Sequence, residues 1–312
     1  MTLDDIIRVL HDGILQNNGE HLRDFFDQNT VPNWIIASDY VIGDKDRHRD
    51  AFCYTLYPIS DEFVSTKTEI AGKMPNDLKS TSRISDTIVE CLRSTRRFSF
   101  CFVVRQREGF YSSVDDIRVS LDAAIEMVRP RENWDKHLAV LKRLKQEAFA
   151  NNFNFKLFSN ITLASLFAAT IAMFIAKFTN ARSVFWFSDR DNLVTAYKRV
   201  ATDVFGWQFY QACHQFGVRY TSVQLGVGDM TNKTSGPWFD ELIRIPDFLA
   251  GAMSAFNPDT REVCTQKHLD LVTRVFSDAP NIAVIKTDVK RNSFGCSSVF
   301  ISNETTARPE LH

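Results

Sequence analysis

The 312-residue chain has no Cys-x-x-Cys pair. Its six cysteines (Cys53, Cys91, Cys101, Cys213, Cys264 and Cys296) are scattered, a pattern that offers no zinc ribbon and no dithiol redox motif. The opening Met1-Thr-Leu-Asp-Asp5 lacks the basic and apolar regions of an export signal, so the cytoplasm is the expected compartment and reduced, buried thiols are the expected cysteine state. An excess of one charge is also missing: 37 Lys and Arg balance 38 Asp and Glu. With no whole-molecule attraction to nucleic acid, a nucleic-acid partner would have to meet a local basic patch. No phosphate-binding P-loop is present, and Gly226-Val-Gly228 lacks the strand-to-helix glycine fingerprint of dinucleotide sites. His137, His214 and His268 have no spacing suited to a metal or a catalytic triad. Internal repeats and low-complexity linkers are absent as well, and a single domain spanning 1–312 is expected.

What the chain has in quantity is phenylalanine, 26 residues of it, read as a thick aromatic core. One run, Ile161 to Phe178, is apolar on nearly every side. Its length is marginal for a membrane span, which needs roughly 20 such residues. A central helix covered on both sides explains it equally well, and no stable membrane insertion is expected.

Periodicity divides the chain into alternating elements. Residues 1–32 form a helical extension, with Ile6, Ile7, Leu10 and Ile14 at helical spacing in one or two short helices. Strands are predicted from Trp34 to Ile42 and from Ala51 to Tyr57, joined as a hairpin by the charged loop Gly43 to Asp50. The stretch from Pro58 to Lys79 has no clear periodicity. A helix over Ser82 to Arg93 and a strand over Phe98 to Val104 follow, then a largely helical insertion, 114–178, broken near Pro130 and Asn151-Asn152. Val184 to Phe187 is a continuous apolar run, the mark of a strand covered on both faces. A helix near Leu193 to Val204, a strand near Val218 to Leu225 and a helix near Phe239 to Phe256 complete the series, with strand-like segments at Ile282 to Ile285 and Val299 to Ile301. The fold class this order predicts is α/β: a mixed sheet, antiparallel in its first half and parallel in its second, flanked by helices.

Three acids stand where apolar or neutral residues would be ordinary. Ile35, Ala37, Asp39 and Val41 share one strand face by alternation, and a carboxylate on such a face must be paired, hydrogen-bonded, metal-bound or already at the strand end. Asp189 follows the carboxyl end of the buried strand, where open α/β sheets place ligands; Asp191, two residues on, is read as a helix cap. Asp247 shares a helical face with Gly251 and Ser254, opposite Leu242, Ile245, Leu249, Met253 and Phe256, and Pro246 suits the first turn of that helix. Small residues beside an acid permit the close approach of another backbone or a metal.

Ile245-Pro-Asp-Phe-Leu-Ala-Gly-Ala252 resembles the closing A-D-L-x-A-G-A helix of a large, mostly bacterial family of unknown function with an RNase H-like fold. That family opens on an Asp-bearing strand read D-E-S-G, continues with an E-x-K segment and carries an Asp at the end of a central strand. Asp39, Glu69 (in Thr68-Glu-Ile-Ala-Gly-Lys73), Asp189 and Asp247 match the four positions in order. The chain departs from the pattern in having Tyr40 and Val41 after the first Asp, in the displaced Lys73 (unless Lys67 serves), and in Pro246. The resemblance implies an RNase H-like sheet and a metal-dependent nuclease, with Asp39, Glu69, Asp189 and Asp247 holding Mg²⁺ or Mn²⁺ for phosphodiester hydrolysis; oxygen donors suit these ions and not zinc. An inactive member that binds a protein or nucleotide through the same cleft is the alternative expectation, and a membrane-acting protein using Ile161 to Phe178 is a third. Lys45, Arg47, His48 and Arg49, and Arg93, Arg96 and Arg97, are the candidate substrate-facing cations.

Overall fold

A computed structural model describes residues 1–105, 111, 113–129, 134–150, 153–189, 192–220, 223–228, 238–290 and 293–302. The chain runs α1 (Leu3–Gln28), β1 (Asn33–Val41), β2 (Asp50–Pro58), α2 (Phe63–Lys73), α3 (Asp86–Leu92), β3 (Phe98–Val104), α4 (Val114–Val128), α5 (Asp135–Glu147) and α6 (Phe155–Phe178). It continues through β4 (Ser183–Ser188), α7 (Asn192–Gln215), β5 (Gln224–Val227), α8 (Asp240–Ser254), α9 (Gln266–Leu271), a π-helical turn (Val272–Phe276), β6 (Ile282–Lys290) and β7 (Ser293–Val299).

The strands form one seven-stranded mixed sheet in the order β5-β4-β1-β2-β3-β6-β7. The first three pair antiparallel, and β4 and β5 extend the sheet parallel to β1, as the element order requires. Beyond the expected halves, β6 joins β3 in parallel and β7 closes that edge as an antiparallel hairpin partner. Every residue of β2 and β3 is buried, so these strands are apolar on both faces. Two cores result. The back core lies under α1, α4, α5, α6 and α7 and holds Trp34, Ile36, Phe52, Phe100 and Phe102. The front core lies under α2, α3, α8 and α9 and holds Ile35, Ala37, Cys53 and Cys101.

The apolar run inside α6 is the heart of the back layer. Its residues from Ile161 to Ile175 are all buried, which accounts for apolarity on every side. It is the one described helix long and apolar enough to cross a membrane, and most of it is covered by protein. Phenylalanine fills the space between it and the sheet: Phe167 stacks on Phe102 at 4.0 Å between ring centres.

Several boundaries move for identifiable reasons. The N-terminal extension is one 26-residue helix, started by a reciprocal Thr2–Asp5 capping box. The aperiodic stretch after Pro58 contains α2, whose buried residues are only Thr66 and Ile70, too few to set a period. The strand expected near Val218 begins later, at Gln224, because α7 runs on to Gln215 and ends in a left-handed Gly217 (φ +62°). Val218 N–H then closes the helix on the Cys213 carbonyl at 2.8 Å.

Pro246 is not in the first turn of its helix but is the seventh residue of α8. A proline there withholds the N–H that would bond the Leu242 carbonyl four residues back, a defect worth roughly 3 kcal/mol in a helix interior. The buried Tyr57 hydroxyl supplies the missing donor, reaching Leu242 O at 2.8 Å. Strand β2 thus repairs the helix that lies on it. Tyr57→Phe is expected to lower stability by about 1–3 kcal/mol, since a buried carbonyl loses its partner. Urea unfolding measures this, and an unchanged midpoint would show that the repair is idle.

Candidate carboxylate site

Parallel pairing of β1 with β4 matches Ser38 to Ser188 and brings the carboxyl ends of both strands to one edge. On the back face Trp186 Nε1 donates to Ser38 Oγ at 2.8 Å, and the Ser38 and Tyr40 hydroxyls lie 2.6 Å apart. On the front face the alternation Ile35, Ala37, Asp39 ends in the carboxylate. The Asp189 N–H points at the Ser38 carbonyl (3.4 Å), placing Asp189 directly after the neighbouring strand. Helix α8 crosses the front of β1 and supplies Asp247.

Three of the four expected acids therefore act on one another. Asp39 and Asp247 are hydrogen-bonded through their side chains, and Asp189 adds its negative charge to both. Each of the pair also accepts one backbone N–H: Tyr40 N–H to Asp39 at 2.8 Å, Leu78 N–H to Asp247 at 2.9 Å. Those bonds favour the charged forms, but burial outweighs them. Loss of water, then repulsion by Asp247, holds the Asp39 carboxyl well above the ordinary carboxylate range. Asp247 is raised too, again chiefly by loss of water. Contact between two carboxyls that both resist ionisation favours one proton shared by the pair when no cation is bound.

Glu69 is placed differently. On α2 it pairs with Lys73 at 3.1 Å and with Arg96 at 3.9 Å. Lys67, the other lysine considered for the E-x-K segment, pairs with Glu241 of α8 at 3.3 Å. The acid that sequence reasoning missed is Asp77, whose charge raises Asp247. It lies in the turn Pro75-Asn-Asp-Leu-Lys79, where its carboxylate accepts the Lys79 N–H at 2.7 Å. That turn is fastened to the front layer by Asp247, by Arg244 on the Met74 carbonyl (2.9 Å), and by Lys267 on the Leu78 and Thr81 carbonyls (2.8 and 3.0 Å). Gly251 makes room for it: a Cβ there would run into the Leu78 side chain. The small-residue face of α8 thus receives another backbone, as its composition allows. A glycine opposite an unassigned turn was the available signal, but it does not say which turn.

Tyr40, where the chain departs from D-E-S-G, faces away from the carboxylates and packs against Phe52 and Tyr54 on the back. Asp191 lies outside the described residues. Gly226 and Gly228 serve packing, since Cβ atoms there would overlap the rings of Phe185 and Phe187.

Most of the expected substrate-facing cations have structural work. Arg97 is fully buried and donates to the Cys91 carbonyl; Arg93 donates to the carbonyls of Arg274, Val275, Ser277 and Asp278 at the end of the π-helical turn. Arg96 pairs with Glu62 and Glu69. In the hairpin loop, Arg47 meets His268 at 3.0 Å and Arg49 meets Asn257 and Asp259, while His48 and Arg49 N–H groups bond the Ser254 carbonyl at the end of α8. His268 is correspondingly a buried structural histidine, pushed down to about 4 by loss of water and the Arg47 charge. His137 pairs with Asp203. All six cysteines are free; Cys53, Cys91, Cys101 and Cys213 are buried, and Cys264 and Cys296 partly so.

Among the described residues no three or more His, Cys, Asp or Glu side chains are drawn together to hold a metal ion. The donors in place are the touching Asp39–Asp247 pair, with Asp189 exposed beside it. Carboxyl oxygens are the donor type that hard divalent cations take. Set against known protein families, characterised proteins and solved structures, the chain matches none.

Because both folded-state values are raised, the native protein binds more protons than the unfolded chain above the ordinary carboxylate range. In the absence of metal, stability is therefore expected to fall as pH rises from the unfolded carboxylate values through the raised ones. Asp39→Asn removes the titrating carboxyl and is expected to flatten this dependence. Thermal melts of both proteins in chelator from pH 5 to 8 measure it, and parallel curves would show that the pair is not proton-linked.

Proposed function

We propose that this chain is a divalent-metal-dependent nuclease of RNase H-like type, hydrolysing phosphodiester bonds at the edge where Asp39, Asp189 and Asp247 meet. One observation carries the reading: two half-buried carboxyls on separate elements are held in contact with a third beside them. Such an arrangement is costly for a metal-free protein and useful for one that binds cations. Asp39 and Asp247 would hold Mg²⁺ or Mn²⁺, which when bound neutralises charge at the scissile phosphate and activates water. Glu69, engaged with Lys73 and Arg96, stands outside this set.

The protein's own part is positioning and electrostatics. Strand pairing fixes Asp39 and Asp189 side by side, and the turn at Leu78 orients Asp247. The exposed Asp189 leaves the site open to solvent on one side, which suits an extended polymer substrate. Lys45 and Lys156 supply positive charge at the same end: Lys156 Nζ approaches Gly43, in the loop that follows β1, and Lys45 is exposed in that loop. Apart from Lys156, the described helices of 114–178 pack on the back face, opposite Asp39, so substrate selection is assigned mainly to the loops at the front. A nucleic-acid substrate in the cytoplasm completes the reading.

Purified protein is expected to cleave DNA or RNA with Mg²⁺ or Mn²⁺, and Asp189→Asn to lower the rate about a hundredfold or more. Equal rates, or no cleavage of either polymer, would contradict the proposal. No cleavage together with a retained protein or nucleotide partner would favour a binding module built on the same fold.

A further inference from the structure

At the opposite end of β4 from Asp189 lies an open cleft of about 630 Å³ between the ends of α6 and α7. Its volume is within the range of small-ligand sites. The wall carries Lys177, Arg182 and Arg219, and among the described residues no carboxylate contributes to it. In a chain whose charges balance overall, three cations around one acid-free cleft are a local excess.

Their partners, or lack of them, distinguish these cations from the arginines near the carboxylate site. The arginines near the carboxylate site are tied to carboxylates or carbonyls, as with Arg49, Arg93 and Arg96. Among the described residues the side chains of Arg182 and Arg219 have neither an ion pair nor a hydrogen bond. The Lys177 ammonium faces His11 Nε2 at 3.1 Å and lies over the rings of Phe178 and Phe216, while His11 Nδ1 faces Asp12. Phe174 and Phe216 flank the His11 ring, at 5.3 and 3.9 Å, which fixes that lysine at the rim. Loss of water and the nearby Arg23 guanidinium disfavour the Lys177 charge more than the Asp12 carboxylate favours it. A bound anion would reverse that penalty.

We propose that this cleft binds a phosphoryl group, with Arg182 and Arg219 as its principal donors and Lys177 as the supporting charge. Two guanidinium forks match the geometry of phosphate oxygens, and the cleft has room for more than a bare ion. The phosphoryl group belongs either to a small phosphate ester or to a nucleic-acid strand. The site is independent of the carboxylate pair and of any hydrolysis there.

The test is calorimetric titration of inorganic pyrophosphate into metal-free full-length protein, beside Arg182→Gln/Arg219→Gln. Both arginines are exposed, so the variant is expected to melt with the wild type. Wild type should bind, and the variant should bind at least tenfold more weakly. A Lys136→Gln/Lys142→Gln control on α5 should behave as wild type. Competition by a 5′-phosphorylated oligonucleotide, and not by its unphosphorylated form, would assign the group to a nucleic-acid end. Failure of both oligonucleotides to compete would assign it to a small ester. No pyrophosphate binding, or equal binding by wild type and the arginine variant, would overturn the site. Because metal is absent throughout, this outcome says nothing for or against nuclease activity.

Discussion

Two carboxyls, Asp39 and Asp247, come into contact where little water reaches them, and much of the front layer is arranged to keep them there. Strand β1 sets Asp39 by alternation, and α8 carries Asp247 across it. The helix can lie that close because its acid is followed by Gly251, over which the Leu78 turn packs. That turn returns an N–H to Asp247, and Arg244 and Lys267 hold its carbonyls. The interior proline of α8 is accommodated by Tyr57 from the sheet beneath. An isolated buried charge pair of one sign would cost several kcal/mol without such supports or a proton between its members.

The parts of this arrangement that depend on short periods were readable in the residues. Alternation placed Asp39 on a covered face, the apolar run Val184 to Phe187 marked a central strand, and the acid-plus-small-residue face of α8 indicated close approach. Other parts depend on long-range packing. Nothing in Pro75 to Lys79 distinguishes a docked turn from a solvated one, so Asp77 escaped notice. Glu69 was chosen by its matching segment, whereas the fold surrounds it with Lys73 and Arg96. Arg93 and Arg97 looked like surface cations because sequence does not reveal that a carbonyl cluster or a buried pocket awaits them. The hairpin β6–β7 was only half visible, since β7 is rich in serine and lies at an edge.

The two faces of the sheet divide the labour. The back carries the aromatic mass, with α6 enclosed among α1, α7 and the phenylalanines of β2 and β3. That layer explains the abundance of phenylalanine and the membrane-like hydropathy of one helix without invoking a bilayer. The front carries the carboxylate site, and several of its cations are satisfied by backbone carbonyls. The exposed arginines at the amino end of β4 line a cleft of their own, apart from those beside the carboxylates.

The proposed function implies that a divalent cation would displace the proton between Asp39 and Asp247. Titrating Mn²⁺ into the protein near pH 7, in buffers of differing ionisation enthalpy, counts protons released on binding. The account predicts release of about one proton per ion bound by the wild type and weakened binding, with less release, by Asp39→Asn. Binding without proton release, or no binding at all, would contradict it.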